Sequence, residues 1–259
     1  MPAELQSTSQ GQTLILTLRN PERRNAIDPV MYAAGVEALG VAESSPDIRS
    51  VVITGADGMF CSGGNLQRLL ANRQEAPEVQ AQSIEGLHNW IETIRAFPKP
   101  VVAAVEGACA GAGFSLALAC DLVVAAQNSV FVMSYSSVGL SPDGGATWSL
   151  MRALPRATAL HLLLLGERVG AQRLQELGLV SQVSASGEAL PDALALCDRL
   201  NARAPNALAS IKELANDALQ VSLHAQLASE RDHFVRNLHH GNAGEGISAF
   251  IEKRTASYR

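Results

Sequence analysis

Thr13 to Leu18 alternates polar and apolar residues, the two-residue period of a half-buried strand, and Asn20-Pro21 breaks the alternation. Asp28 then stands as an N-cap with Pro29 at the first helical position, opening a helix to about Glu43. Ser50 to Thr54 is a β-branched run that reads as a buried strand. The loop from Gly55 to Gly64 carries four glycines and leads into a short helix over Leu66 to about Leu70. Val79 to Phe97 has the amphipathic pattern of a longer helix, ended by Pro98-Lys99-Pro100. Val101 to Val105 is a second apolar strand, and the glycine loop at 107–113 enters a helix over Phe114 to Ala119. Asp121 to Ala125 and Val130 to Met133 read as further strands. Strand, glycine turn and helix follow one another at least twice, which predicts an α/β fold of parallel βα units with its site at the strand C-termini.

After Gly145 the pattern turns almost wholly helical, with segments near 146–153, 157–165, 171–177, 189–203, 206–219, 223–238 and 243–254. Val180 to Val183 is a short strand among them. The division predicts an α/β core over residues 1–195 and a helical region over 196–259.

Bulk composition narrows the function by exclusion. A chain of 259 residues, 47% hydrophobic, can bury a sizeable core. The net charge is −5 with no long Lys/Arg run, so a nucleic-acid footprint is absent. No apolar run reaches the length of a membrane span, and Met1 to Gln10 is polar, without the core of a signal peptide. The four cysteines have no CxxC spacing and the six histidines no HExxH, which points away from disulfides and metal toward a reduced cytoplasmic protein.

Three loops carry the candidate chemistry. Phe60-Cys61-Ser62-Gly63-Gly64-Asn65-Leu66 and Gly107-Ala108-Cys109-Ala110-Gly111-Ala112-Gly113 place glycines where strands meet helices. Unpaired N–H groups at such turns can face a developing oxyanion, or the loops can be ordinary tight turns. Neither matches GxGxxG or GxxxxGK[ST]. Ser141-Pro142-Asp143-Gly144-Gly145 sets one carboxylate just before the helix near Ala146. Asp143 reads either as a general base or as the N-cap of that helix.

In order over nearly the whole chain, several motifs resemble the enoyl-CoA hydratase/isomerase (crotonase) superfamily. They are Asn20-Pro21 with Asn25-Ala26, Val52-Ile53-Thr54-Gly55, the Phe60–Leu66 loop, Lys99-Pro100 through Glu106-Gly107, Gly111-Ala112-Gly113, Cys120-Asp121 and Gly246-Ile247-Ser248-Ala249-Phe250. The resemblance implies a superhelix of repeated ββα units whose helical C-terminal region makes trimers or hexamers. It implies an acyl-CoA ligand, with coenzyme A belonging to the substrate and no separate cofactor. It maps the oxyanion-hole N–H groups onto Gly64 and Ala112. Gly63, Asn65, Leu66 and Gly111 flank them, and Asn65 stands where many members carry Asp. Arg23, Arg24 and Ala26 fall where the CoA nucleotide is met. The arginines can pair with phosphate or form a solvated basic turn. Phe250 and Lys253 fall where C-terminal residues approach CoA.

The departures from the family's pattern bear on the reaction. A family hydratase activates water with two glutamates, but Ser115 and Tyr135 occupy those positions. Neither side chain supplies a carboxylate at neutral pH, and both are expected to line the pocket. Asp143 aligns with the aspartate of dienoyl-CoA isomerases and of ring-epoxide isomerases. The run from Phe131 to Trp148 resembles the latter branch. The expected activity is an enoyl-CoA isomerase working by 1,3-proton transfer. A hydratase and a non-catalytic acyl-CoA-binding homologue are the alternatives.

Overall fold

A computed structural model describes residues 3–258. The chain opens with a hairpin: β1 (Glu4–Gln10) and β2 (Thr13–Arg19) are antiparallel, Glu4 opposite Arg19 and Gln10 opposite Thr13. Helix α1 (Pro29–Ser44) leads to β3 (Ser50–Gly55), then α2 (Leu66–Asn72) and α3 (Pro77–Ala96). Next come β4 (Val101–Val105), β5 (Ala108–Ala110), α4 (Ala112–Ala119), β6 (Leu122–Ala126) and β7 (Val130–Val132). They are followed by α5 (Ala146–Ala153), α6 (Arg156–Leu165), β8 (Val169–Gly170), α7 (Ala171–Glu176) and β9 (Gln182–Ser184). Helices α8 (Ala189–Asn201), α9 (Pro205–Asp217), α10 (Leu223–Leu238) and α11 (Gly241–Glu252) close the chain.

The main sheet has the order β1-β2-β3-β4-β6-β9 and is parallel from β2 onward. Its central strands β4 and β6 are apolar throughout because both faces are covered. Alternate residues divide between two cores: Val52, Val102, Ala104 and Val124 pack under α8, while Val51, Ile53, Val101, Ala103 and Val105 join the larger core with α1 and α3. Glu106, just past β4, accepts the Ala189 N–H at 2.9 Å and so anchors the start of α8. The expected boundary after residue 195 falls inside this helix.

A smaller sheet, β5-β7-β8, stands beside the first. The segment before Gly63 joins it: Cys61 pairs in parallel with Cys109, its N–H donating to Ala108 O at 3.0 Å and its carbonyl accepting from Ala110 N at 2.9 Å. Strands β3, β4 and β6 are therefore each followed by a short segment that pairs into the second sheet and then by a helix. That is the repeated ββα plan.

The polar start of the chain contains β1, an edge strand with six of its seven residues exposed, which no apolar alternation marks. Two expectations need correction. The glycine loop at 107–113 contains β5, and its helix begins at Ala112 rather than Phe114. The strand expected over Val180 to Val183 lies at Gln182–Ser184, where β9 pairs with β6.

Helix α9 folds back onto the core through Lys212, whose Nζ donates to Ile94 O at 3.0 Å and to Asp121 Oδ2 at 2.8 Å. Asp121 also accepts the Val101 N–H at 2.8 Å, tying the segment before β6 to the start of β4. Burial raises its carboxyl pKa and the Lys212 charge opposes that shift. Among the described residues no helix is long and apolar enough to cross a membrane, no metal-binding group of three His, Cys, Asp or Glu occurs, and all four cysteines are free and buried.

Candidate active site

The turn at 20–27 builds the first edge of the site. Asn25 Nδ2 donates to Ala56 O at 2.8 Å and to Met59 O at 2.7 Å, and Asn20 Nδ2 donates to Ala26 O at 2.9 Å. Asn25 thus knits the turn to the loop after β3, while Asn20 closes the turn on itself. Ile27 N donates to Gly63 O at 2.9 Å, and Ser62 Oγ donates to Arg23 O at 2.9 Å. These bonds hold the Gly63-Gly64 backbone against α1.

The second edge is the start of α4. Gly63 has φ +101°, and a Cβ there would lie 3.0 Å from Ala110 O and 3.7 Å from Ala112 N. Only glycine lets the two loops approach this closely. Gly64 and Ala112 both line one cavity of about 370 Å³. Ala112 is the first residue of α4, where an N–H has no acceptor within the helix. Among the described residues neither amide donates to a backbone carbonyl. Cys61 sits beneath the loop, and burial pushes its thiol up to about 12, so it is inert.

Side chains complete the site, and Tyr135 abuts the glycine loop, since a Cβ at Gly111 would lie 3.8 Å from its Cζ. Asp143 lines the cavity and is the one carboxylate that does so among the described residues. Tyr135 Oη donates to Asp143 Oδ1 at 2.6 Å. Ser115 Oγ donates to Asp143 O at 3.0 Å and lies 3.3 Å from Tyr135 Oη. Burial, and secondarily the Asp143 charge, pushes the Tyr135 phenol well above its ordinary range, which keeps it protonated. The helix-cap alternative for Asp143 fails: the N-cap of α5 is Gly145, with no side-chain cap bond. Asp143 contributes only its carbonyl to the start of that helix, accepting Ala146 N at 3.3 Å.

Of the residues singled out in the sequence, Gly63, Gly64, Asn65, Leu66, Gly111, Ala112, Tyr135 and Asp143 line this cavity together. Asn65 also caps α2, accepting the Arg68 N–H at 3.2 Å. Ser115 is buried behind the wall rather than lining it. Arg23 and Arg24 are exposed on the turn beside the loop, with Arg23 Nη2 donating to Gln67 Oε1 at 3.2 Å, and Ala26 is buried beneath them. Phe250 is 86% exposed on α11 and Lys253 is its left-handed C-cap; neither lines the cavity.

The sequence reading missed Tyr32 of α1, Arg68 of α2 and the α3 stripe Gln80, Ser83, Ile84, Leu87 and His88. Arg68 Nη2 donates to Ser83 Oγ, which ties α2 to α3 across the cavity mouth. The stripe's spacing of three and four residues was a readable signal for one helix face. A larger cavity of about 810 Å³ lies on the far side of Gly144-Gly145 and shares His88. Trp148 lines it, stacked between the Arg95 and Arg152 guanidiniums at 4.4 and 4.0 Å. The smaller cavity is the candidate site because the free amides and the carboxylate meet there.

The Enoyl-CoA hydratase/isomerase family profile matches residues 8–259. The chain belongs to the enoyl-CoA hydratase/isomerase family.

Within this family it is 38% identical to the 1,2-epoxyphenylacetyl-CoA isomerase of Escherichia coli K12 over 95% of this chain and 94% of that one. It is 35% identical to the 2,3-dehydroadipyl-CoA hydratase of the same organism over 99% of both. A crystal structure of an enoyl-CoA hydratase from Polaromonas sp. JS666 is 71% identical, with a TM-score of 0.98 over 98% of this chain and 99% of that one. The family and fold are thereby established, and the family acts on acyl-CoA thioesters. Names of both reaction types stand among these relatives, so the choice of reaction rests on the cavity.

Proposed function

We propose that this chain is an acyl-CoA isomerase that moves a double bond by 1,3-proton transfer. The observation that carries this reading is the single carboxylate, Asp143, lining the same cavity as Gly64 and Ala112. Asp143 removes a proton from C2 of a 3-enoyl thioester. The electrons move onto the thioester oxygen, and the two N–H groups hold the resulting dienolate, each donor worth roughly 3 kcal/mol. Asp143, now protonated, returns the proton at C4, leaving the double bond between C2 and C3. General-base help of this kind contributes about 10²–10⁴-fold. Tyr135 and Ser115 stand where a hydratase would need glutamates, and a buried phenol cannot activate water as a base at neutral pH.

The hydratase reading is favoured by the names of several relatives, the 71%-identical structure among them. Incubation with 3-hexenoyl-CoA, followed at the conjugated-enoyl absorbance, separates the readings. Conversion that disappears in Asp143→Asn supports isomerisation. Robust water addition to crotonyl-CoA, with no movement of the 3-enoyl double bond, overturns it. Binding of CoA thioesters without turnover of either substrate favours a binding protein.

Arg23 and Arg24, exposed beside the Gly63-Gly64 loop, are proposed to meet the CoA phosphates. A homotrimer or homohexamer is proposed from the family resemblance and from the large apolar side chains that α10 and α11 leave exposed, Phe234, Ile247, Phe250 and Ile251 among them.

A further inference from the structure

We infer that Tyr135 is a positioning residue for Asp143: its hydroxyl occupies Oδ1, so that Oδ2 alone exchanges the proton with substrate. The inference rests on the proposed isomerase reading. A carboxylate free to rotate presents either oxygen in many directions, whereas a proton shuttle between C2 and C4 needs one oxygen held over both carbons. The Tyr135 to Asp143 bond, at 2.6 Å, has the length of a charge-assisted O–H···O⁻ contact.

Counting protons orders the network. Tyr135 has one proton and gives it to Oδ1, so its oxygen can only accept from Ser115, 3.3 Å away. Ser115 has one hydroxyl proton and three acceptors in reach: the Asp143 carbonyl at 3.0 Å, Tyr135 Oη at 3.3 Å and the Gly111 carbonyl at 3.4 Å, the first being the shortest. Gly144 makes the arrangement possible, since at its φ of +58° a Cβ would lie 2.9 Å from Ser115 Cβ. Carboxylate and backbone carbonyl of Asp143 are thus both clamped by the two residues that stand in place of glutamates.

The other titratable groups facing the cavity are Tyr32 from α1, Arg68 from α2 and His88 from α3, the last 3.6 Å from Glu85. Losing a donor to a carboxylate disfavours its ionised form, so the acid limb of the kcat/KM profile moves to higher pH. Replacement by a stronger donor moves it to lower pH.

The test is the pH dependence of 3-hexenoyl-CoA isomerisation by wild type, Tyr135→Phe and Tyr135→3,5-difluorotyrosine, repeated in a His88→Gln background. Tyr135→Phe is expected to lower kcat by roughly tenfold to a hundredfold, with KM within about threefold and the acid limb displaced to higher pH. The fluorinated residue, nearly isosteric, is expected to lower the acid limb, and both shifts should persist without His88. Acid limbs that coincide with wild type in both variants, while Asp143→Asn is inactive, overturn the positioning role and leave the isomerase reading standing. Full activity in Asp143→Asn overturns both. If Tyr135→Phe fails to fold, the fluorinated variant alone decides by the direction of its shift.

Discussion

The two walls of the cavity are made of different material. One is backbone: Gly63, Gly64, Gly111 and Ala112, held by strand-like pairing of Cys61 with Cys109 and by the Ile27 N to Gly63 O bond. The other is side chain: Asp143, Tyr135 and, behind them, Ser115. The backbone wall follows from the ββα plan itself, because both amides lie where one sheet hands over to a helix. It suits any reaction that builds negative charge on a thioester oxygen. The side-chain wall carries one acid, Asp143. Under the proposed reading the first wall sets the class of intermediate and the second selects what is done with it.

Variants that act on one wall only sharpen this division. The largest effect is expected from Asp143→Asn, about a 10³-fold loss of kcat for isomerisation, with acyl-CoA affinity by calorimetry nearly unchanged. Equal losses of affinity and turnover would instead make Asp143 part of binding. Gly63→Ala attacks the backbone wall, where φ is +101° and a Cβ meets Ala110 O at 3.0 Å. It is expected to cost about 10² in kcat/KM, alike for every acyl-CoA tried. A loss confined to one acyl group would contradict a purely backbone role.

Gly144→Ala displaces the side-chain wall through Ser115 and is expected to lower kcat roughly tenfold while leaving KM steady. Smallest is Asn65→Ala, which removes the α2 cap bond to Arg68 N. It should lower stability in urea by about 1 kcal/mol and leave kcat within a few-fold of wild type. A loss as large as that of Gly63→Ala would mean that Asn65 does more than cap.

Much of the backbone wall was legible in the sequence, because glycines at strand-to-helix turns are local features. Its tightness was not, since residues 60–62 dock as a strand on β5 only through long-range pairing. β1 escaped notice because an exposed edge strand needs no apolar face. Asp143 was visible as an acid beside two glycines but stayed ambiguous with a helix cap. Its carboxylate is resolved by Tyr135, eight positions away, and its carbonyl by Ser115, twenty-eight positions away. No spacing rule links those three. Tyr32, Arg68 and His88 reach the cavity from three different helices, and nothing in the chain pairs them. Phe250 and Lys253 were legible only through family resemblance, and they lie outside the cavity's lining.

The central claim is that this chain moves a proton where relatives named hydratases add water. Product analysis by mass spectrometry after incubation of 3-hexenoyl-CoA in ¹⁸O-water tests it most directly. The account expects 2-hexenoyl-CoA to accumulate at unchanged mass with no heavy oxygen. Dominant formation of 3-hydroxyhexanoyl-CoA carrying ¹⁸O would contradict it.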